Sequence, residues 1–285
     1  MHPVLFEIPT PWGDQYVYSY GVMLTISLLM GLFIVTRLGV NKENFDRETL
    51  TNSFLITAIS AIVGSRILYI VTNLDSFNSP AGWFDLRSGG LVAYGGFLGG
   101  AVGAAVYLRI KRRSFLAFAD VAAPALALGL SSTRVGCYLY GCDFGIRLAP
   151  DAPDWLKTLG TFPRWTQFGD RLHGSPAFLH HVNLYYLSPD ATHAYPVHPT
   201  QLYEVAAGLL LLILTLFVWR RRAFRGQVIL TLAMGYGVWR FFLEYLRDDP
   251  ERGSAFGFST SQLISMLLVP FCALAYINMR KRRVE

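Results

Sequence analysis

The sequence predicts an all-α, polytopic membrane helix bundle of about seven transmembrane helices, and three observations lead there. Of the 285 residues, 53% are hydrophobic and only 15% charged, with a mean hydropathy of +0.36. A soluble domain of this size carries roughly a quarter charged residues. Apolar runs recur at lengths near the ~20 residues that cross a bilayer as a helix. Basic residues collect in short groups at alternate ends of those runs, as membrane orientation requires. The net charge of +6 and isoelectric point near 9.3 therefore belong to topology, and no nucleic-acid partner is expected.

The predicted spans are 16–38, 53–72, 90–110, 115–140, 201–219, 227–246 and 262–280, within one membrane domain covering 1–285. The N-terminal segment (MHPVLFEIPTPWGDQYVYSYG) lacks a basic region and a small-residue cleavage site, so the first span is expected to be retained. Span two contains Arg66. Span three carries Gly95, Gly99 and Gly103 four residues apart, with Gly96 and Gly100 beside them. That spacing lets helix backbones approach closely. Span four holds Arg134. The one long connection, 146–197, is rich in Pro, Asp, Trp and His and is expected to form a small periplasmic cap. Span five opens on His-Pro-Thr-Gln-Leu-Tyr-Glu (198–204), with Pro199 suited to the first helical position. Taken alone this is a helix start, although a helix N-terminus at a membrane surface also attracts anions. In span six Tyr236, Arg240 and Glu244 are spaced i, i+4, i+8 and share a face. Cys272 in span seven reads as a core residue.

The flanks set the orientation. With the N-terminus outside, the inner segments hold Arg37, Lys42, Arg47, Arg109, Lys111, Arg112, Arg113, Arg220, Arg221, Arg222, Arg225, Arg280, Lys281, Arg282 and Arg283. The outer segments hold Arg87, Arg147, Lys157, Arg164, Arg171, Arg247 and Arg252, spread over longer loops. The imbalance puts the N-terminus outside and the C-terminus in the cytoplasm.

A charged side chain within a bilayer costs several kcal/mol unless it faces protein or water, which makes each one a functional candidate. On this orientation Tyr20, Arg66, Tyr94, Arg134, Glu204, Arg240 and Glu244 all fall in the outer part of their spans. Arg134 has no acid three or four residues away on its own helix. A buried guanidinium needs an anion, and phosphate matches its planar fork; snorkelling to the outer surface is the alternative. Arg240 and Glu244 read either as a structural ion pair or as part of a site. Arg66 has Glu244 or Glu204 as possible partners.

Cys137 and Cys142 would point about 140° apart on an unbroken helix, so a disulfide between them needs a break at Gly141, on the oxidising side. Two cysteines alone make a poor metal site, and no metal or cofactor is expected. The histidines 2, 173, 180, 181, 193 and 198 all lie outside the spans. The pair His180–His181 reads as surface, with a role in the cap as the lesser option. No G-x-S-x-G elbow, H-E-x-x-H, Walker A or dinucleotide fingerprint is present. An arginine-centred site at headgroup depth therefore points to stabilisation of a phosphate, with the nucleophile supplied by a second substrate.

Several segments resemble the prolipoprotein diacylglyceryl transferase family. They are Gly-Ser-Arg-Ile-Leu-Tyr (64–69), Tyr-Gly-Gly (94–96), Thr-Arg-Val-Gly-Cys (133–137) with Gly145, His-Pro-Thr-Gln-Leu-Tyr-Glu (198–204) and Gly-Tyr-Gly-Val-Trp-Arg-Phe-Phe-Leu-Glu (235–244). They follow the family's order over essentially the whole chain. The resemblance implies transfer of the diacylglyceryl group of phosphatidylglycerol to the lipobox cysteine of a preprolipoprotein. The partners it implies are phosphatidylglycerol, the lipobox peptide and membrane lipids, and the assembly a monomer. It makes Arg240, Tyr94 and Glu244 the expected catalytic residues. Arg134, Tyr20, Arg66, Tyr236, Gly145, Glu204, Gly95 and Gly96 are the expected substrate-binding residues, with Arg134 on the headgroup phosphate.

The chain departs from the familiar pattern at Tyr94, where a histidine is usual and is a proposed base. Cys137 and Cys142 stand where asparagine and glutamate are usual. A tyrosine of reference pKa ~10 is a poor base unless a cation lowers it. Three options stay open: Tyr94 made acidic by Arg240, Glu244 or Glu204 as the base, or a divergent paralogue that binds phospholipid or lipoprotein without transfer. An unrelated transporter with Arg66, Arg134 and Arg240 along an anion path is opposed by the apolar inner halves of the spans.

Overall fold

A computed structural model of the chain describes residues 2–11, 15–77, 80–84, 90–165, 174–184, 187–248 and 253–282. Arg87, Arg171, His173, Arg252 and Arg283, placed above on loops and flanks, lie outside the described residues. Among the described residues the long helices are α1 (Ser19–Glu43), α2 (Arg47–Thr72), α3 (Ala93–Ile110), α4 (Phe115–Tyr140), α7 (Thr200–Arg221), α8 (Gln227–Leu243) and α9 (Thr260–Lys281). Two short ones, α5 (Asp154–Leu159) and α6 (Pro176–Leu184), lie between α4 and α7. Of the long helices, α1, α2, α4, α7 and α9 are long and apolar enough to cross a membrane. The protein is thus a polytopic helical membrane protein. α3, with 18 residues, and α8, with 17, are the two shorter ones, at about 27 and 26 Å by the helical rise.

Among the described residues, two short antiparallel hairpins accompany the helices. β1 (Val4–Ile8) pairs with β2 (Gln15–Tyr18), and β3 (Ser254–Ala255) with β4 (Phe258–Ser259). Residues 16–18, placed above in the first span, are therefore strand. The Ser19 backbone N–H and hydroxyl both donate to the Pro3 carbonyl, at 2.9 and 3.2 Å, which ties the hairpin to the first turn of α1. In the second hairpin Phe256 and Gly257 take φ of 56° and 79°, as a two-residue turn of matching twist requires. Ser259 and Gln262 then form a reciprocal capping box that starts α9.

The chain divides into two compact units. One runs from Leu32 to Ala122 and is built on α2 against α3. A Cβ on Gly95 would strike the Gly64 carbonyl, and one on Gly99 the Ser60 carbonyl. The glycine stripe is thus used for backbone contact, as its spacing predicts. Asp46 caps α2 by accepting from the Thr49 N–H at 2.7 Å and faces Arg113 at 3.6 Å.

The other unit joins Met1–Gly31 to Ala123–Glu285. Here a Cβ on Gly208 of α7 would meet Ser131 of α4 at 2.9 Å, and one on Gly136 of α4 would meet Tyr20 of α1 at 3.1 Å. The connection between α4 and α7 folds around its own buried cluster of Phe144, Phe162, Ala177, Phe178, Ala194 and Val197. Backbone bonds from Ala194 to Phe162 (2.8 Å) and from Val197 to Gly160 (3.0 Å) close it. Its short elements could not bury an apolar face singly, so they share one core.

Candidate active site

The site begins where α4 ends. Gly141 takes φ +84°, a left-handed conformation that costs glycine little. The N–H groups of Gly141 and Cys142 both donate to the Cys137 carbonyl, at 2.8 and 3.1 Å. The chain then turns back, and Asp143, itself left-handed at φ 58°, presents its carboxylate to the last turns of the helix. Arg134 Nη1 lies 2.6 Å from Asp143 Oδ2, and Arg134 Nε pairs with Glu204 Oε2 of α7. Asp143 Oδ1 accepts from Arg247 Nη2. On the other side Arg240 Nη2 of α8 lies 2.9 Å from Glu244 Oε2 and donates to Ser261 Oγ at 3.2 Å. Arg240 Nη1 and Arg247 Nη1 each lie 3.9 Å from Glu204 Oε1.

Three guanidiniums and three carboxylates thus alternate in one cluster. Glu204 sits at its centre with a side chain 1% exposed, and Arg247 is 2% exposed. Burying ions is costly unless opposite charges and hydrogen bonds compensate. Burial alone would raise the Asp143 carboxyl, but Arg134 and Arg247 outweigh it and hold it below the usual carboxylate range. Arg240 Nη1 is buried and makes no hydrogen bond among the described residues. A site that keeps a buried, unused guanidinium donor is prepared for an anionic ligand.

Backbone strapping holds the cluster in place. The Gly145 N–H donates to the His198 carbonyl at 3.0 Å, and the Ile146 N–H to the Leu246 carbonyl at 2.9 Å. A Cβ on Gly145 would strike the Leu246 carbonyl and approach His198 Cβ to 2.7 Å. Glycine is required there because three chain segments converge. The start of α7 is pinned to the same turn, with Thr200 Oγ1 donating to the Asp143 carbonyl at 2.7 Å and Gln201 Nε2 to that of Cys142 at 2.6 Å.

Of the residues singled out by sequence, Arg134, Glu204, Arg240 and Glu244 meet directly, and Gly145 lies in the strap that aligns them. Tyr236, one turn before Arg240, is close enough to act electrostatically on both Arg134 and Arg240. Tyr20 packs on α4 beside Gly136. Arg134 neither lacks an anion nor snorkels, because Asp143 and Glu204 reach it from outside its own helix. Within the other unit, Tyr94 occupies the first turn of α3, and Gly95 and Gly96 face α2. Arg66 donates to the carbonyls of Trp83 (2.8 Å), Gly82 (2.7 Å) and Gly90 (3.1 Å), and lies near the rings of Tyr69 and Phe77. These contacts anchor the loop before α3.

Sequence reading missed Asp143 and Arg247. The charge pattern places Arg247 on an outer loop, yet it continues the face of Tyr236, Arg240 and Glu244 by three residues, a readable signal. Asp143 had none, since a turn and not a helical period brings it to Arg134. The surface reading of His180–His181 is also corrected for the second residue. His181 is fully buried within the connection between α4 and α7 and accepts from the Tyr195 N–H at 3.0 Å. Burial, helped by His180 and Arg147, lowers its pKa to about 4. Cys137, Cys142 and Asp143 bring one ligand atom each within 4.8 Å of one another. The two guanidiniums already on Asp143 oppose a cation at that point.

The chain matches the family model of prolipoprotein diacylglyceryl transferase over residues 3–278. It is 30% identical over 272 residues to phosphatidylglycerol–prolipoprotein diacylglyceryl transferase 2 of Clostridium perfringens, covering 94% of each chain. It is 29% identical over 270 residues to a phosphatidylglycerol–prolipoprotein diacylglyceryl transferase of Clostridium tetani, again with 94% of each covered. A counterpart from Clostridium botulinum is 27% identical over 285 residues, with 99% of this chain and 98% of the relative covered.

Proposed function

The chain belongs to the prolipoprotein diacylglyceryl transferase family, and from that membership we propose that it moves the diacylglyceryl group of phosphatidylglycerol onto a lipobox cysteine. The product is a thioether on the preprolipoprotein, and glycerol phosphate leaves. The observation that carries this reading within the site is the buried Arg134–Glu204–Arg240 cluster with its unused donor on Arg240.

The chemistry follows from the charges. The cysteine sulfur attacks the glyceryl carbon bearing the phosphate, the carbon–oxygen bond breaks, and the electron pair leaves on the phosphate oxygen. Guanidiniums already fixed at that oxygen stabilise the developing charge without reorganising, a contribution usually worth several kcal/mol. Arg134 and Arg240 hold the phosphate, Arg247 balances Glu204 and Asp143, and Tyr236 and Glu244 support Arg240. Phosphate taken up by Arg134 and Arg240 competes with Glu204 for the same donors. That exchange leaves the carboxylate free to accept the thiol proton, with Tyr94 and Glu244 as the other candidates. Tyr20, Gly145, Arg66, Gly95 and Gly96 shape and support the lipid site.

The cysteine at 142, where the family's usual glutamate is absent, favours a divergent binding protein only if no carboxylate replaces it. Asp143 supplies one from the next position, which favours retained catalysis. We place the site at the outer face of a bacterial inner membrane, with seven spans, the N-terminus and the 146–197 cap outside and the chain acting as a monomer. Supporting this, basic residues occupy the last turns of α1, α3, α7 and α9. The test is transfer by purified protein in phosphatidylglycerol vesicles to a synthetic lipobox peptide, read as thioether-linked product by mass. Absence of product from folded, lipid-bound protein would reject it.

A further inference from the structure

We propose that Cys137 and Cys142 form a reversible dithiol–disulfide pair that closes the end of α4 beside the arginine cluster. Helix-end geometry brings them together. With Gly141 left-handed and the Cys142 N–H bonded to the Cys137 carbonyl at 3.1 Å, α4 ends in the motif that brings two particular side chains together. They belong to the residue in the last turn whose carbonyl is capped and to the second residue past the cap. In most helices that contact is apolar. Here both positions are cysteine, and the two sulfur atoms lie within 4.8 Å of each other. Both are free thiols, Cys137 buried and Cys142 partly accessible. Cys142 Sγ already points back at the Cys137 carbonyl, at 3.8 Å. Joining them needs a small approach of sulfurs, not a new backbone path.

The step is thiol–disulfide exchange. The accessible Cys142 sulfur, its proton lost to solvent, attacks an external disulfide. One thiolate leaves and a mixed disulfide remains. The Cys137 sulfur then attacks Cys142 Sγ, losing its own proton, and the second thiolate leaves. Two protein thiols are oxidised and one external disulfide is reduced to two thiols. Such oxidants persist outside the cytoplasm, so in the cell the inference rests on the orientation proposed above. The bond would tie the turn bearing Asp143 to the turn bearing Arg134, fixing their ion pair. It would also remove two competing sulfur nucleophiles from a site whose proposed acceptor is itself a thiol.

The experiment uses the full chain in detergent, incubated with oxidised glutathione or with dithiothreitol, acid-quenched and alkylated under denaturing conditions. Cleavage after arginine puts both cysteines in one peptide, Val135–Arg147, while Cys272 on α9 serves as an internal control. The expected result with glutathione disulfide is that peptide lighter by two hydrogens and unlabelled, with Cys272 labelled throughout. Dithiothreitol should restore both labels. Full labelling after oxidation, or a glutathione adduct that never resolves, overturns the proposal. So does protection released by a chelator, which would mean a metal dithiolate. Gly141→Ala, which penalises the left-handed turn, should slow closure several-fold; an unchanged rate would contradict the helix-end argument. None of these readouts uses transfer activity, so failure of the bridge and failure of the transferase reading are told apart.

Discussion

Arg134 on α4 and Glu204 on α7 are joined by an ion pair whose carboxylate is 1% exposed, and neither helix supplies that partner from its own sequence. The pair is the hub of the cluster, since Arg240 and Arg247 both approach the second Glu204 oxygen at 3.9 Å. Glu204→Gln leaves three guanidiniums facing two carboxylates. Removing one partner of a buried ion pair costs about 3–5 kcal/mol. Denaturant unfolding in detergent should show a loss of that size; an unchanged midpoint would mean the cluster is hydrated in the membrane.

Asp143 carries a second, pH-dependent prediction. Its carboxyl is held below the usual range by Arg134 and Arg247 against the opposing effect of burial. The stability it contributes is complete above the unfolded carboxylate value of about 3.9. It is lost as pH falls through the lower folded value. Asp143→Asn should lower stability at neutral pH by about 1–3 kcal/mol and flatten the decline below about pH 4. Thermal unfolding against pH separates the two proteins.

His181 predicts a loss on the same acid limb, in a higher pH window. Burial first, and then His180 and Arg147, lower its pKa from 6.5 to about 4. The unfolded chain therefore binds the proton first, and stability present above about pH 6.5 declines toward pH 4. His181→Gln keeps an acceptor for the Tyr195 N–H and should remove that slope. A slope that survives the substitution would assign it to another group.

Gly145→Ala tests the strap. The added carbon meets the Leu246 carbonyl and His198, so α7 or the Arg247 segment must shift. Misalignment of a catalytic group by about 1 Å costs on the order of 100-fold in rate. The variant should keep its helical content by circular dichroism and lose transfer on that scale. Wild-type rates would show that the strap does not set the geometry.

Much of the helical framework was legible because lipid imposes a simple code of apolar runs with basic residues at alternate ends. Observed α2, α3 and α4 end at Thr72, Ile110 and Tyr140, where the expected spans end, and α3 shows the close packing its glycines announced. The hairpins were not legible: Gln15–Tyr18 is apolar enough to read as the start of a span, and only its pairing with Val4–Ile8 makes it a strand. Within the site, Arg134, Glu204, Arg240 and Glu244 were found on their helices, whereas Asp143, delivered by a turn, was not. Arg240 and Glu244 share a period; Asp143 reaches Arg134 only because Gly141 is left-handed. Arg66 was legible as an expensive residue, but its backbone-carbonyl partners carry no sequence signature.

The central claim is that Arg134 holds the lipid phosphate through transfer. The most direct measurement is single-turnover transfer from phosphatidylglycerol to a lipobox peptide by wild-type and Arg134→Ala protein in the same vesicles. The account predicts a thioether product from the wild type and a fall of at least about 100- to 1,000-fold in the variant, the usual effect of losing a positioned charge donor. Folding should be matched by circular dichroism. Product formed by Arg134→Ala at the wild-type rate would contradict it.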